Sequence, residues 1–183
     1  VPRHIVLLRG VNLVKRNRLA MPALRAALEQ HGFRDVRTYV QSGNVVLASR
    51  ARPASVARDV RTLIHEHFGL DITVLARSRE ELAAVVRRNP LREVATSPRR
   101  YLVTFLSGEL PSRLAADLAK VATQEPFAIV GREVYSWHPD GIGRTPLWER
   151  LASRSLGVDA TSRNWTTVTT LLAMASDTPP PSR

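Results

Sequence analysis

The chain contains no cysteine. Disulfides, thiolate nucleophiles and thiolate metal ligands are therefore excluded, and the redox compartment leaves no trace in the composition. Lysine is almost missing as well, with Lys15 and Lys120 the only two. Aromatic residues make up 5% of the sequence, which leaves few rings for stacking on nucleobases. No stretch approaches the roughly 18 apolar residues that a membrane span needs. The apolar run Ile5 to Leu8 is cut off by Arg9 and reads as a strand rather than a signal segment. No membrane association is expected, and the default location is cytoplasmic.

What is present is apolar and basic. Hydrophobic residues form 44% of 183 positions, enough for a packed core in one domain or two small ones. Lys and Arg number 27 against 16 Asp and Glu, a net charge of +11 with a pI near 11.4. Two explanations stand side by side. Charge of this size favours anionic partners such as nucleic acid or phosphate esters, and an arginine-biased proteome would give the same composition. The arginines are scattered, with no basic block of about five or six residues that would read as a nucleic-acid-binding tail.

The rest of the chain is organised around Val36 to Ala48, VRTYVQSGNVVLA. Two β-rich runs flank Gln41-Ser42-Gly43-Asn44, where Gly and Asn tolerate the positive φ of a tight turn, so the stretch predicts a hairpin. Its tip carries amides and a hydroxyl, which are donors and acceptors rather than charges. Upstream, His4 to Leu8 predicts a strand, and Met21, Leu24, Ala27 and Leu28 recur at helical spacing up to Gly32. Downstream, Val56, Val60, Leu63, Ile64 and Phe68 mark a helix ended by Gly69, and Ile72 to Ala76 predicts a fourth strand. The order β-α-β-β-α-β is the split βαβ of a ferredoxin-like domain.

Ser78 to Glu81 has capping-box spacing, and a helix through Leu82, Val85 and Val86 stops at Asn89-Pro90. The second half repeats the order. It has a strand at Tyr101 to Leu106, a helix through Leu114, Leu118 and Val121, and a hairpin of Phe127 to Val130 with Val134 to Trp137. A helix at Leu147, Trp148 and Leu151 follows, then a short strand at Val158 to Thr161 and a closing helix from Trp165 to Ala175. The expected fold is α+β, two ferredoxin-like βαββαβ halves in tandem, with antiparallel sheets and helices on one face. The expected boundaries are 1–77, a helical connector 78–98, a second half with its C-terminal helix 99–175, and a disordered tail 176–183.

This topology gathers polar residues that are distant in sequence. First and third strands of a βαββαβ sheet are antiparallel neighbours, so Arg9 to Asn12 should lie beside Gln41 to Asn44. By the same logic Asp140 to Thr145 falls at one edge with Arg163-Asn164-Trp165. If a pseudo-twofold axis relates the halves, both pairs converge on one cleft lined by Arg9, Asn12, Gln41, Ser42, Asn44, Arg144, Arg163 and Asn164. Arginine forks and carboxamides suit phosphate, carboxylate or base edges. The competing reading is that Asn12, Asn44 and Asn164 cap turns and helices, Gly43 serves a turn, and the arginines are solvated.

Five segments, LLRGVNLVKRN, RTYVQSGNVVL, VGREVY, PDGIGRT and TSRNWTTV, occur in that order. With them the chain resembles a bacterial family, the domain of unknown function 1697, from about Ile5 to Ala175. The resemblance implies a two-part ferredoxin-like protein without an established activity. It carries onto this sequence Arg9, Gly10, Asn12, Asn17, Gln41, Ser42, Gly43, Asn44, Asp140, Gly141, Gly143, Arg144, Arg163, Asn164 and Trp165. Val14-Lys15 stands where members of the family have two glycines, which closes off backbone approach by a ligand, although Lys15, Arg16 and Arg18 add charge. Ala20 replaces a proline, and Pro146 replaces a lysine.

Recognisable catalytic patterns are few. There is no Walker loop, and GIGRTP has Pro146 where the third glycine of a dinucleotide fingerprint would fall. His65 and His67 are two apart on a predicted helix and cannot share a metal, so no metal or cofactor is expected. Ser42 has no nucleophile elbow around it. His138, near the DGIGR loop, and Asp140 are the candidates for proton transfer. Three hypotheses result. The first is a module binding an anionic ligand, single-stranded nucleic acid or a nucleotide, with Tyr39, Trp137 and Trp165 as stacking rings. The second is an enzyme on a small phosphorylated or carboxylated metabolite, with Arg144 and Arg163 as anion clamps. The third is an interaction or homodimerisation domain using exposed sheet edges.

Overall fold

The structure is a computed structural model that describes residues 1–12, 17–122, 124–143 and 145–177. Its contacts divide the chain into two compact units. The first is Val1–Ala84 with the chain from Thr170, and the second is Val85–Thr169. Each has a four-stranded antiparallel sheet.

In the first unit the order is β1 (Arg3–Leu8), α1 (Met21–Gln30), β2 (Arg34–Tyr39), β3 (Asn44–Ala48), α2 (Pro53–Phe68) and β4 (Val74–Ser78). The strands lie in the order β2-β3-β1-β4, so the expected ferredoxin-like half is present. Val6 and Leu8 of β1, Val45 and Leu47 of β3, and Val74 and Ala76 of β4 turn to one face. There they pack with Leu24 and Leu28 of α1 and with Val60, Leu63 and Ile64 of α2. The alternate residues Ile5, Leu7 and Val46 are also buried. Burial on both faces explains why HIVLL is a continuous apolar run without a two-residue alternation.

Both central helices open with proline in the first turn, where its missing N–H costs nothing. Helix α2 closes at Gly69 in the left-handed region. α3 (Arg79–Arg88) starts from a reciprocal capping box. Ser78 N donates to Glu81 Oε2 at 2.8 Å, and Glu81 N donates to Ser78 Oγ at 3.1 Å.

The second unit runs β5 (Tyr101–Leu106), α4 (Ser112–Val121), β6 (Phe127–Val130), β7 (Glu133–Trp137), α5 (Pro146–Ala152) and β8 (Ala160–Asn164), and α6 (Trp165–Ala175) follows, passing into the first unit at Thr170. Its sheet order, β6-β7-β5-β8, repeats the first. Leu106, Val134 and Ala160 face Leu118 of α4 and Leu147 and Leu151 of α5. Pro146 occupies the first turn of α5, and Thr145 Oγ1 accepts from Trp148 N at its cap.

Two local expectations shift. The last strand begins at Ala160, not Val158, and takes Arg163 and Asn164 into the sheet, because Val103 and Leu102 pair with them. Asp177, within the expected disordered tail 176–183, forms ion pairs with Arg3 and Arg37. Met174 O accepts from Arg37 Nη2 at 2.6 Å. Residues 178–183 lie outside the described residues.

The hairpin turn also starts one residue early. Asn44 is already in β3, opposite Tyr39 and Leu7, and positive φ falls on Val40 (50°) and Gly43 (75°). A β-branched residue in the left-handed region is strained, and Val40 is also 55% exposed. Val40→Asn should therefore raise stability by about 1 kcal/mol, read as a higher urea midpoint at unchanged slope.

Candidate functional site

The junction predicted in the first unit exists, and its geometry shows what holds it. β1 leaves the sheet beside the β2–β3 turn, with Leu8 N donating to Gly43 O at 2.8 Å. Here glycine is obligatory. A Cβ on residue 43 would sit 2.6 Å from Val11 Cγ2 and 2.7 Å from Leu8 Cβ, at a φ of 75°. Asn12, itself at positive φ, spans the gap. Its Nδ2 donates to Leu19 O at 2.9 Å and Gln41 O at 2.7 Å, and its Oδ1 accepts from Leu19 N at 2.8 Å.

The other carboxamides are likewise committed. Asn17 Nδ2 donates to Gly10 O at 3.1 Å. Asn44, fully buried, donates to Tyr39 O at 3.2 Å and to Ser42 Oγ at 3.0 Å. All three asparagines thus donate within the unit, Asn12 and Asn17 to backbone carbonyls and Asn44 to a carbonyl and a hydroxyl. The Gln41 side chain, Ser42 and Arg18 are exposed, and Arg9 is half-buried. Lys15 and Arg16, and with them the Val14-Lys15 replacement, lie outside the described residues.

In the second unit the loop after β7 and the end of β8 flank the start of β5, as the topology requires. His138 N donates to Arg100 O at 3.0 Å, Arg100 Nη1 to Pro139 O at 2.6 Å, and Trp165 N to Pro98 O at 3.1 Å. Arg144 lies outside the described residues. Asn164 caps α6, its Oδ1 accepting from Thr167 N at 2.9 Å. Arg163 Nη1 donates to Thr161 Oγ1 and Ser162 O, both at 2.8 Å, and burial pulls its guanidinium down to about 10. It stays charged at neutral pH. Of the proposed stacking rings, Trp137 is buried, Trp165 already stacks on Tyr101 at 4.8 Å, and Tyr39 is half-buried.

Sequence reasoning missed three polar residues. Arg77, 2% exposed, occupies in β4 the register position that Arg163 holds in β8. Ser136 and Glu125 surround His138. Ser136 Oγ lies 2.9 Å from His138 Nε2, and Glu125 Oε1 lies 3.7 Å from Nδ1. Only a serine on the core-facing side of an apolar strand hinted at this cluster. Asp140, exposed, stands at the same loop. Among the described residues no group of three or more His, Asp or Glu is placed to hold a metal ion, and no helix is long and apolar enough to cross a membrane.

A family model described as "Protein of unknown function (DUF1697)" matches residues 1–135. The chain belongs to the DUF1697 family. The match takes in the first three of the five segments, and PDGIGRT and TSRNWTTV lie beyond it. The DUF1697 chain is also similar in structure to the conserved bacterial protein SP0830 from Streptococcus pneumoniae. That likeness has a TM-score of 0.78 at 21% identity and covers 95% of this chain and 98% of that one. At this identity the likeness speaks for the fold alone. No curated protein matches the sequence.

Two expected outcomes follow from the geometry. Asn12→Ala should cost about 2–3 kcal/mol in urea unfolding, because three backbone groups lose a partner, whereas Gln41→Ala should stay within about 0.5 kcal/mol. Burial holds the His138 imidazole below its ordinary range, against the upward pull of Glu125. The unfolded chain then binds the proton first, so this contribution is present above about pH 6.5 and is lost as the pH falls. The stability of His138→Gln should decline less steeply than that of the parent between pH 7 and 5, compared by urea unfolding across about that range.

Proposed function

We propose that this DUF1697 protein binds an anionic ligand, with single-stranded nucleic acid or a nucleotide as the favoured class, at the loop–turn junction of its first unit. One observation carries the reading. Residues 1 to 28 contain Arg3, Arg9, Lys15, Arg16, Arg18 and Arg25 and no Asp or Glu, and this stretch runs through a junction that Asn12 holds in one geometry. Arg9 and Arg18 supply charge, and the exposed Gln41 amide, on the turn whose backbone Asn12 ties, offers a donor and an acceptor. Because the asparagines serve the frame, discrimination falls to Gln41 and Ser42, and affinity to phosphate neutralisation. Tyr39 is the ring nearest in sequence to this tip, so base stacking contributes little and salt dependence dominates.

Binding of a labelled single-stranded oligonucleotide should weaken linearly in log–log form with salt, at a slope of about −0.7 per phosphate neutralised. Arg18→Glu should lower affinity at least about tenfold, the equivalent of roughly 1.4 kcal/mol, and flatten the slope. Arg154→Glu makes the same change of charge at an exposed site of the second unit and should do neither. Equal losses in the two variants would show that charge alone is felt and would sink the assignment.

A further inference from the structure

The first unit has a second opening, at the end of β3 away from the junction. β3 runs from Asn44 beside the turn to Ala48, and past Ala48 lies a cavity of about 270 Å³ lined by Val1, Gly32, Arg34, Ala48, Ser49 and Arg50. A bulge in β2 delivers one of its arginines. Between Arg34, paired with Ala48, and Arg37, paired with Val46, β2 carries one residue more than β3, and Asp35 there has a φ of 50°. Strict alternation would put Arg34 on the face of Val36, which is packed in the core. The extra residue gives that face to Phe33 instead and releases Arg34 to solvent. Ser49 is held by three bonds, its N donating to Pro2 O at 3.0 Å, its O accepting from His4 Nε2 at 3.1 Å and its Oγ accepting from Ala51 N at 3.1 Å. Its hydroxyl proton is left to donate.

Charge at this cavity has one sign. Arg34 and Arg50 are exposed, and neither side chain makes a hydrogen bond or ion pair with a described residue. No lining residue is Asp or Glu, and none occurs in the sequence from Val36 to Arg58. Asp35, next to Arg34, pairs with Arg3 at 3.8 Å. Two guanidinium forks on separate segments, with a hydroxyl beside them, bring more donors than the two oxygens of a carboxylate take and match the several oxygens of a phosphate. The volume is below the roughly 300–1,000 Å³ of sites that hold drug-sized ligands, so the phosphate carries a small substituent at most. We propose that this cavity binds phosphate or a small phosphomonoester through Arg34, Arg50 and the Ser49 hydroxyl, at a site separate from the loop–turn junction.

The test titrates the full chain with inorganic phosphate and with methyl phosphate at constant ionic strength, with acetate as the flat anion, and follows the Nε–H resonances of Arg34 and Arg50. Both phosphates should shift these resonances saturably, and acetate at the same concentrations should not. Arg34→Gln and Arg50→Gln, at exposed positions that leave folding intact, should each weaken phosphate binding about tenfold or more. Arg52→Gln, at an exposed arginine outside the lining, should leave it unchanged, and so should Arg18→Glu at the junction. An equal loss in Arg52→Gln, acetate binding as tight as phosphate, or undiminished binding in both cavity variants would overturn the proposal. Loss in Arg18→Glu with retention in the two cavity variants would place phosphate at the junction, which sinks this site and leaves the proposed function standing.

Discussion

The close approach of Leu8 to Gly43 fixes the loop–turn junction of the first unit. Antiparallel pairing of β1 with β3 brings the end of one strand against the turn that opens the other, and Leu8 N reaches Gly43 O at 2.8 Å. At that distance no side chain fits on residue 43, since Val11 and Leu8 fill the space. Once the two backbones are this close, one carboxamide can tie them, and Asn12 does so with both of its polar atoms. The junction's position is thus set by strand register, and its stiffness by side-chain hydrogen bonds.

That division explains why the architecture was legible and the site only partly so. Strand and helix order follow from apolar spacing, from prolines that open helices and from glycines that end them, all local signals. Topology then predicts which loops meet, and Asn12 does meet Gln41. What spacing does not reveal is which of a carboxamide's groups are consumed. Asn12, Asn17 and Asn44 look the same in sequence whether they face a ligand or a backbone carbonyl, and the structure gives them the carbonyl. The shifted β8 has a similar cause. Arg163 and Asn164 are poor strand formers by composition, and pairing with Val103 and Leu102 of a fully buried β5 overrides that.

The same limits hid the polar cluster of the second unit. Glu125 precedes Pro126 in a stretch with no periodicity, so nothing local marks it as inward-facing. His138 looked like a loop residue beside DGIGR. It is a wholly buried ring held by Ser136, and Ser136 is itself buried because β7 presents every residue to the interior. A polar residue in an apolar strand with both faces covered is the one sequence pattern that would have pointed there, and it becomes visible only when both faces are known to be buried.

Comparison of the two units separates what belongs to the fold from what is particular to each. Arg77 and Arg163 occupy matching register positions, each donates from Nη1 to the carbonyl of the preceding residue, and each is followed by a helix-capping residue, Ser78 or Asn164. A guanidinium that recurs in this way is a structural element of the repeated unit, whatever else Arg163 contacts. The strand-to-turn bond also recurs, Leu106 N to Arg132 O at 2.9 Å, but an arginine stands there where the first unit requires glycine. The crowding by Val11 and the tie by Asn12 are therefore additions to a common frame. In the opposite direction, Ser136 and His138 fall at the register positions of Leu47 and Ser49, and the buried imidazole of the first unit comes instead from β1, where His4 Nε2 lies 3.1 Å from Ser49 O. The shared frame thus recurs in both units, and the two unshared features are a junction tied by Asn12 in one and a buried Glu125–His138 pair in the other.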